Sequence, residues 1–135
     1  MNPYFNPAPP PGKRFHERLE LTDHWLDMRG RSFPLVEMPT DYLWNVLLYL
    51  WDHRSEILTL ERARRGPVKL PAPAGAAAWI AKRPIWVAIV TELIRRREIG
   101  TARQVGTRLT ALSTAYRTEL ASLRASREYQ ERVQN

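Results

Sequence analysis

The stretch that decides the fold is Trp25-Leu26-Asp27-Met28-Arg29-Gly30-Arg31-Ser32-Phe33-Pro34-Leu35-Val36-Glu37-Met38-Pro39-Thr40-Asp41-Tyr42-Leu43-Trp44-Asn45-Val46-Leu47-Leu48-Tyr49-Leu50-Trp51. A short polar turn separates two apolar runs, and a third, strongly apolar run comes after them. His24–Met28 is aromatic-rich and partly alternating, which reads as a strand. Arg29-Gly30-Arg31 supplies a turn, with Gly30 free to take positive φ. Phe33–Val36 is a second extended piece, and Pro34 lacks the amide a central strand needs. The expected hairpin spans about 22–36. Two strands alone are marginal in water, so the hairpin must lean on the next element.

That element is a helix. Thr40 is suited to cap its start, Asp41 favours the positive end of the helix dipole, and Pro39 and Trp44 stand at staple positions. The helix is expected over about 40–65, closed by Gly66-Pro67. Leu43, Val46, Leu47, Leu50, Ile57 and Leu58 make one apolar face, and Trp44, Leu48, Tyr49 and Trp51 widen it almost all round. A helix this apolar is either central to a core or part of an interface.

The remaining chain supplies helices to pack on this unit. Residues 66–75 carry three prolines and read as a loop. A second helical stretch is expected over about 76–99, broken near Arg83 because Pro84 starts a new helix. Its apolar face is Ile85, Trp86, Ile89, Val90, Leu93 and Ile94; Arg95, Arg96 and Arg97 end it, and Gly100 can close it. Thr101 to Gln104 is a capping box opening a helix over about 101–130. Val105, Leu109, Leu112, Tyr116, Leu120 and Leu123 form its seam. A second reading breaks 101–123 into a helix-turn-helix, with Gly106 at the crossing and Arg117 and Arg124 facing DNA. Upstream, residues 1–14 hold five prolines and read as a flexible arm. The expected protein is mainly α: one domain over 15–135, a bundle of three to four helices with a small N-terminal β-hairpin and an extended Pro-rich arm.

The net charge of +7 is almost all arginine, since lysine occurs only at Lys13, Lys69 and Lys82. Such charge suits nucleic acid, phosphate or an acidic partner, and a GC-rich genome gives the same composition. Arg95, Arg96, Arg97, Arg103, Arg108, Arg117 and Arg124 are the candidate nucleic-acid contacts. With no cysteine there is no disulfide framework, thiol nucleophile or Cys-based zinc site. His16, His24 and His53 lack the spacing of a helical metal site, and there is no Gly-x-Ser-x-Gly elbow or Gly-rich phosphate loop. The expectation is a protein that is not an enzyme and holds no cofactor or metal. No apolar run is long enough to cross a bilayer and no signal peptide is visible. The expected location is the cytoplasm.

Trp25, Gly30, Pro34, Leu35, Met38, Tyr42, Leu43, Asn45, Leu47 and Leu50 follow the order of an extended segment, a Gly turn, a Pro-Leu-x-x-Met step and an apolar helix. In this the chain resembles small uncharacterised proteins of bacteriophages and prophages. The resemblance implies a non-enzymatic accessory protein that binds a host or virion protein. Trp44, Leu48, Trp51, Arg62 and Arg65 are the expected interface, since Trp and Arg dominate interface hot spots. The alternatives are a small DNA-binding regulator using 101–123 and a structural virion or scaffold component built by helical self-association into a homo-oligomer. Asn45, alone on an apolar turn, is expected to satisfy the backbone of the preceding hairpin.

Overall fold

A computed structural model describes residues 11–12, 14–66 and 70–134. The chain is mainly helical, with a small two-stranded antiparallel hairpin near the N-terminus. The expected arm over 1–14 falls largely outside the described residues. The helical turn α1 (His16–Leu19) precedes strands β1 (His24–Leu26) and β2 (Ser32–Pro34). A 3-10 turn (Leu35–Glu37) then leads into α2 (Thr40–Asp52), α3 (Arg54–Arg65), α4 (Ala76–Ile80), α5 (Pro84–Arg95) and α6 (Gln104–Gln134).

The strands are three residues each, shorter than the expected 22–36, with Trp25 opposite Phe33. Two local structures shorten them. The Asp27 carboxylate accepts the backbone amides of Arg29 at 2.9 Å and Arg31 at 2.8 Å, which curls the chain into its turn. Beyond Pro34 the chain winds into the 3-10 turn instead of staying extended. Gly30 takes φ 79, as its place in the turn requires. Both outer edges are blunted. Arg18 donates from Nε to the Leu26 carbonyl at 2.8 Å and from Nη2 to that of Asp27 at 2.7 Å, and Pro34 has no amide to offer.

Helix α2 is the centre of the core. Leu43, Leu47 and Leu50 are fully buried, alongside Ile57 and Leu58 of α3, Ile80 of α4, Ile85, Ile89 and Leu93 of α5 and Leu109 of α6. Thr40 is the first helical residue rather than the cap. Pro39 stands at the cap, its carbonyl accepting the amides of Tyr42 and Leu43, and no side chain caps the helix. The staple positions are therefore Met38 and Leu43, both buried, and not Pro39 and Trp44.

The single helix expected over 40–65 is two, separated at His53 (φ −101, ψ 14). No glycine or proline sits there, so the sequence carries no breaker. The break is held from Arg54, which donates to the Trp51 carbonyl at 2.8 Å and lies 4.3 Å from that ring's centroid. The stretch expected over 76–99 is also two helices, parted at 81–83 as Pro84 foretells. Its end differs from expectation. Arg97, not Gly100, closes α5 in the left-handed region (φ 62). The Glu98 amide reaches the Leu93 carbonyl and the Arg97 amide that of Ile94, the paired bonds of a Schellman motif.

One contact ties the ends of this fold together. Arg96, just past α5, donates to the carbonyls of Leu35 at 3.0 Å, Val36 at 3.2 Å and Met38 at 2.6 Å, and to Thr40 Oγ1 at 3.1 Å. Its Nε donates to the buried Glu92 carboxylate at 2.8 Å, which also accepts from Arg95. Hydrogen bonds from Arg95 and, against the opposing effect of burial, from Arg96 hold the Glu92 carboxyl down at about 2.

Removing the fork without removing its bulk, Arg96→Met, is expected to cost about 2–3 kcal/mol, since it takes the donor from the Met38 carbonyl and one of two arginine partners from the buried Glu92. Arg95→Met removes an exposed partner and is expected to cost under about 1 kcal/mol in the same urea titrations. Glu92 titrates below its unfolded value, so its contribution is complete above about pH 5 and fades as pH falls towards 2. The stability gap between the natural chain and Glu92→Gln is therefore expected to shrink by about 1–2 kcal/mol from pH 6 to pH 3. Arg97→Gly relieves a left-handed arginine and is expected to raise stability by about 0.5–1 kcal/mol, read as a higher urea midpoint.

Candidate interaction surfaces

Burial sorts the expected interface residues. Trp44 and Leu48 are 2% and 3% exposed, so both belong to the core and neither can meet a partner. The Trp44 ring lies under the Arg108 guanidinium at 5.0 Å, and its buried Nε1 has no hydrogen-bond partner among the described residues. Arg62 and Arg65 face their own chain. Arg62 donates to the carbonyls of Leu70 and Pro71, holding down the loop after α3. Arg65 joins Arg64 on the carboxylate of Glu61, which is 4% exposed. Trp51 remains partly exposed, 6.2 Å between ring centroids from Trp86.

Those two rings begin an apolar groove of about 340 Å³ between α5 and the first turns of α6. Val87, Val90, Thr91 and Ile94 of α5 form one wall; Ala102, Val105, Gly106 and Leu109 form the other. Val87 is 50% and Ile94 37% exposed, both on the groove side of α5. Sequence periodicity assigned Ile94 to the buried face and did not single out Val87. The signal was there in the step Val87, Val90, Ile94, which runs apolar one position to the side of the core stripe.

The candidate nucleic-acid residues do not form one surface. Arg95 and Arg96 are engaged by Glu92, and Arg108 lies over Trp44. Arg97 and Arg103 have no partner among the described residues. Arg117 is exposed on α6, where its charge is felt by Asp52. The Arg124 side chain lies outside the described residues, as do those of Tyr116, Leu120 and Leu123. The helix-turn-helix is not formed, because α6 runs unbroken from Gln104 to Gln134. The hydroxyls of Thr110, Thr114 and Thr118 each bond to the carbonyl four residues back, so these polar side chains are satisfied within the helix and need no turn. Gln104 carries the capping role, its Oε1 accepting the amides of Gly100 and Thr101.

A second concavity, a cleft of about 430 Å³, lies between the hairpin turn and α2. Tyr42, Asn45, Val46 and Tyr49 line it from α2, spaced so that they share one helix face. Trp25, Asp27, Met28, Arg29 and Arg31 line it from the hairpin. Burial raises the Asp27 carboxyl, but hydrogen bonds from Arg31 and Arg29 outweigh this and hold it below the usual range. It stays ionised and fully engaged, with Arg31 Nε at 2.6 Å. Burial pushes the Tyr42 hydroxyl up, helped by Asp27, and pushes Tyr49 up to about 12, helped by Glu56. Both phenols therefore keep their protons at neutral pH. Asn45 does not serve the hairpin backbone: among the described residues its half-buried amide has no hydrogen-bond partner.

The histidines are dispersed. His24 pairs with Asp23 at 2.6 Å, His53 with Glu56 at 3.3 Å, and the buried Nδ1 of His16 has no partner among the described residues. Among the described residues no three His, Asp or Glu side chains converge as a metal site, and no helix is long and apolar enough to cross a membrane. No protein-family model, no curated protein and no solved structure matches the chain.

Proposed function

We propose that this chain is a non-enzymatic accessory protein that binds another protein, taking an apolar helix of its partner into the groove between α5 and α6. The exposed side chains of Val87 and Ile94 carry the reading, with Val90 buried between them. Their separation, about two helical turns, is a spacing at which a second amphipathic helix is gripped. Partly exposed Trp51, beside the buried Trp86, gives the groove the aromatic anchor that interface hot spots favour. The likeness of Trp25–Trp51 to phage and prophage proteins makes a host or virion protein the partner class, with the host cytoplasm or the virion as the place of action. The DNA-binding reading has less to rest on, since α6 runs through 104–123 without a turn.

Self-association is the second reading, and α6 favours it. Thr114, Arg117, Thr118, Ala121, Ser122 and Ala125 are all exposed, so the helix runs on past the bundle. The sequence seam of Leu112, Tyr116, Leu120 and Leu123 continues into that stretch.

The double variant Val87→Glu, Ile94→Glu changes two exposed residues, and its thermal midpoint is expected to stay within about 3 °C of the natural chain. Affinity capture from bacterial lysate with mass-spectrometric identification should recover a specific protein with the natural chain and lose it with the double variant. Capture unchanged by both charges overturns the groove. Light scattering decides the second reading: a dimer mass that falls to a monomer in Leu120→Glu, Leu123→Glu makes α6 a self-association helix.

A further inference from the structure

The cleft between the hairpin and α2 shares no residue with the α5–α6 groove and has a different chemistry. Its floor is a helix face bearing two tyrosines seven residues apart, with Asn45 and Val46 between them. Seven residues of α-helix rise about 10.5 Å. One turn of polyproline II, three residues, advances about 9.3 Å. Side chains three apart on such a strand therefore fall against Tyr42 and Tyr49 in turn. An extended strand carries its carbonyls unpaired, and Asn45 holds an amide donor midway with no partner among the described residues. Proline-rich ligands are taken in this way, by aromatic walls and a few side-chain donors.

The charge at the two ends differs. Arg29 and Arg31 stand at the hairpin end, near Tyr42; the Arg29 guanidinium has no partner among the described residues, and Arg31 is 63% exposed. Asp27 pairs with Arg31 through Nε at 2.6 Å and offsets part of that charge, which leaves Arg29 as the uncompensated cation of this end. Towards Tyr49 both signs are felt, Glu56 raising its hydroxyl and Arg18 lowering it. We propose that this cleft binds a proline-rich, polyproline II segment of another protein, read by Tyr42, Asn45 and Tyr49, with an acidic residue of the ligand meeting Arg29 and Arg31.

The test uses the full chain and two synthetic peptides sharing the core Pro-Pro-Ala-Pro-Pro, one with an Asp-Asp pair before it and one with the pair after it. Calorimetry gives the affinity, and chemical shifts of the Asn45 side-chain amide report the place. One of the two peptides is expected to bind saturably and to move the Asn45 amide. Asn45→Ala should weaken it about fivefold, and Arg29→Glu about tenfold. The same core with a Lys-Lys pair should bind Arg29→Glu better than the natural chain. Backbone spectra of both variants, unchanged away from the substitution, show that the fold is intact. No saturation below about 1 mM with either peptide overturns the proposal. Equal binding of the Asp and Lys peptides overturns it too. So does binding that appears only after deletion of residues 1–10, which would assign the cleft to this chain's own proline-rich arm.

Discussion

Arg96 is the residue on which the other packing arrangements rest. It leaves the end of α5 and reaches residues about sixty positions earlier, closing the longest loop that any described hydrogen bond closes. Its targets are the carbonyls of the 3-10 turn that joins the hairpin to α2. The Val36 and Met38 carbonyls have no strand partner, because β2 stops at Pro34, while that of Leu35 also accepts the Met38 amide. Without Arg96 the part-buried Met38 carbonyl loses its donor, at a cost of about 1–3 kcal/mol, and the exposed Val36 carbonyl turns to water. Arg96 supplies them from one planar fork, and Glu92 holds that fork in place. The entry angle of α2, and so the position of everything packed on Leu43, Leu47 and Leu50, depends on this contact.

The same device occurs at the end of α3. Glu61-x-x-Arg64-Arg65 and Glu92-x-x-Arg95-Arg96 place a buried carboxylate one turn before two arginines. In each case the glutamate is almost fully covered, while its partners lie at the end of the helix, where positive charge also suits the helix dipole. A buried pair of this type adds little net stability, since desolvation offsets most of the attraction. Its effect is on geometry: it fixes where the guanidinium groups point. At α5 that direction is inward, onto another element; at α3 the inward role falls to Arg62, which ties down the loop after that helix.

Legibility in the sequence followed the range of the interaction. The hairpin, the start of α2 within a residue, the stop at Gly66, the new start at Pro84 and the long final helix all rest on local chemistry, and all could be read. The break at His53 could not, because it is held by a side chain folding back on a ring and a carbonyl rather than by a breaker. Arg97 as the closing residue of α5 ran against the preference for glycine, and the nearby Gly100 drew attention away from it. The surfaces were least legible. Hydrophobicity alone cannot say whether Trp44 or Val87 faces outward; that depends on which neighbours close over α2 and leave α5 uncovered. Trp44 lies under α6 with Arg108 across its ring, whereas α5 has a flank that no described residue covers.

The arginine excess also has a structural account. Two of the helices are only four or five residues long, and helix ends and turns leave carbonyls with acceptor capacity to spare. Arg18, Arg54, Arg62, Arg83 and Arg96 each donate to carbonyls at such ends, in loops or at the strand edge. Lysine would serve poorly there, since a compact, strongly hydrated ammonium cannot bridge two or three fixed oxygens from one plane. A chain that builds a domain from short pieces therefore has internal uses for arginine, apart from any ligand. Among the described residues the guanidinium groups of Arg29 at the hairpin cleft, of Arg97 and Arg103 at the α5–α6 corner and of Arg14 near the start have no partner, nor has the Lys82 ammonium, and Arg117 is exposed on α6. These positions lie on different parts of the fold, whereas a regular run of phosphates is met by charge along one track.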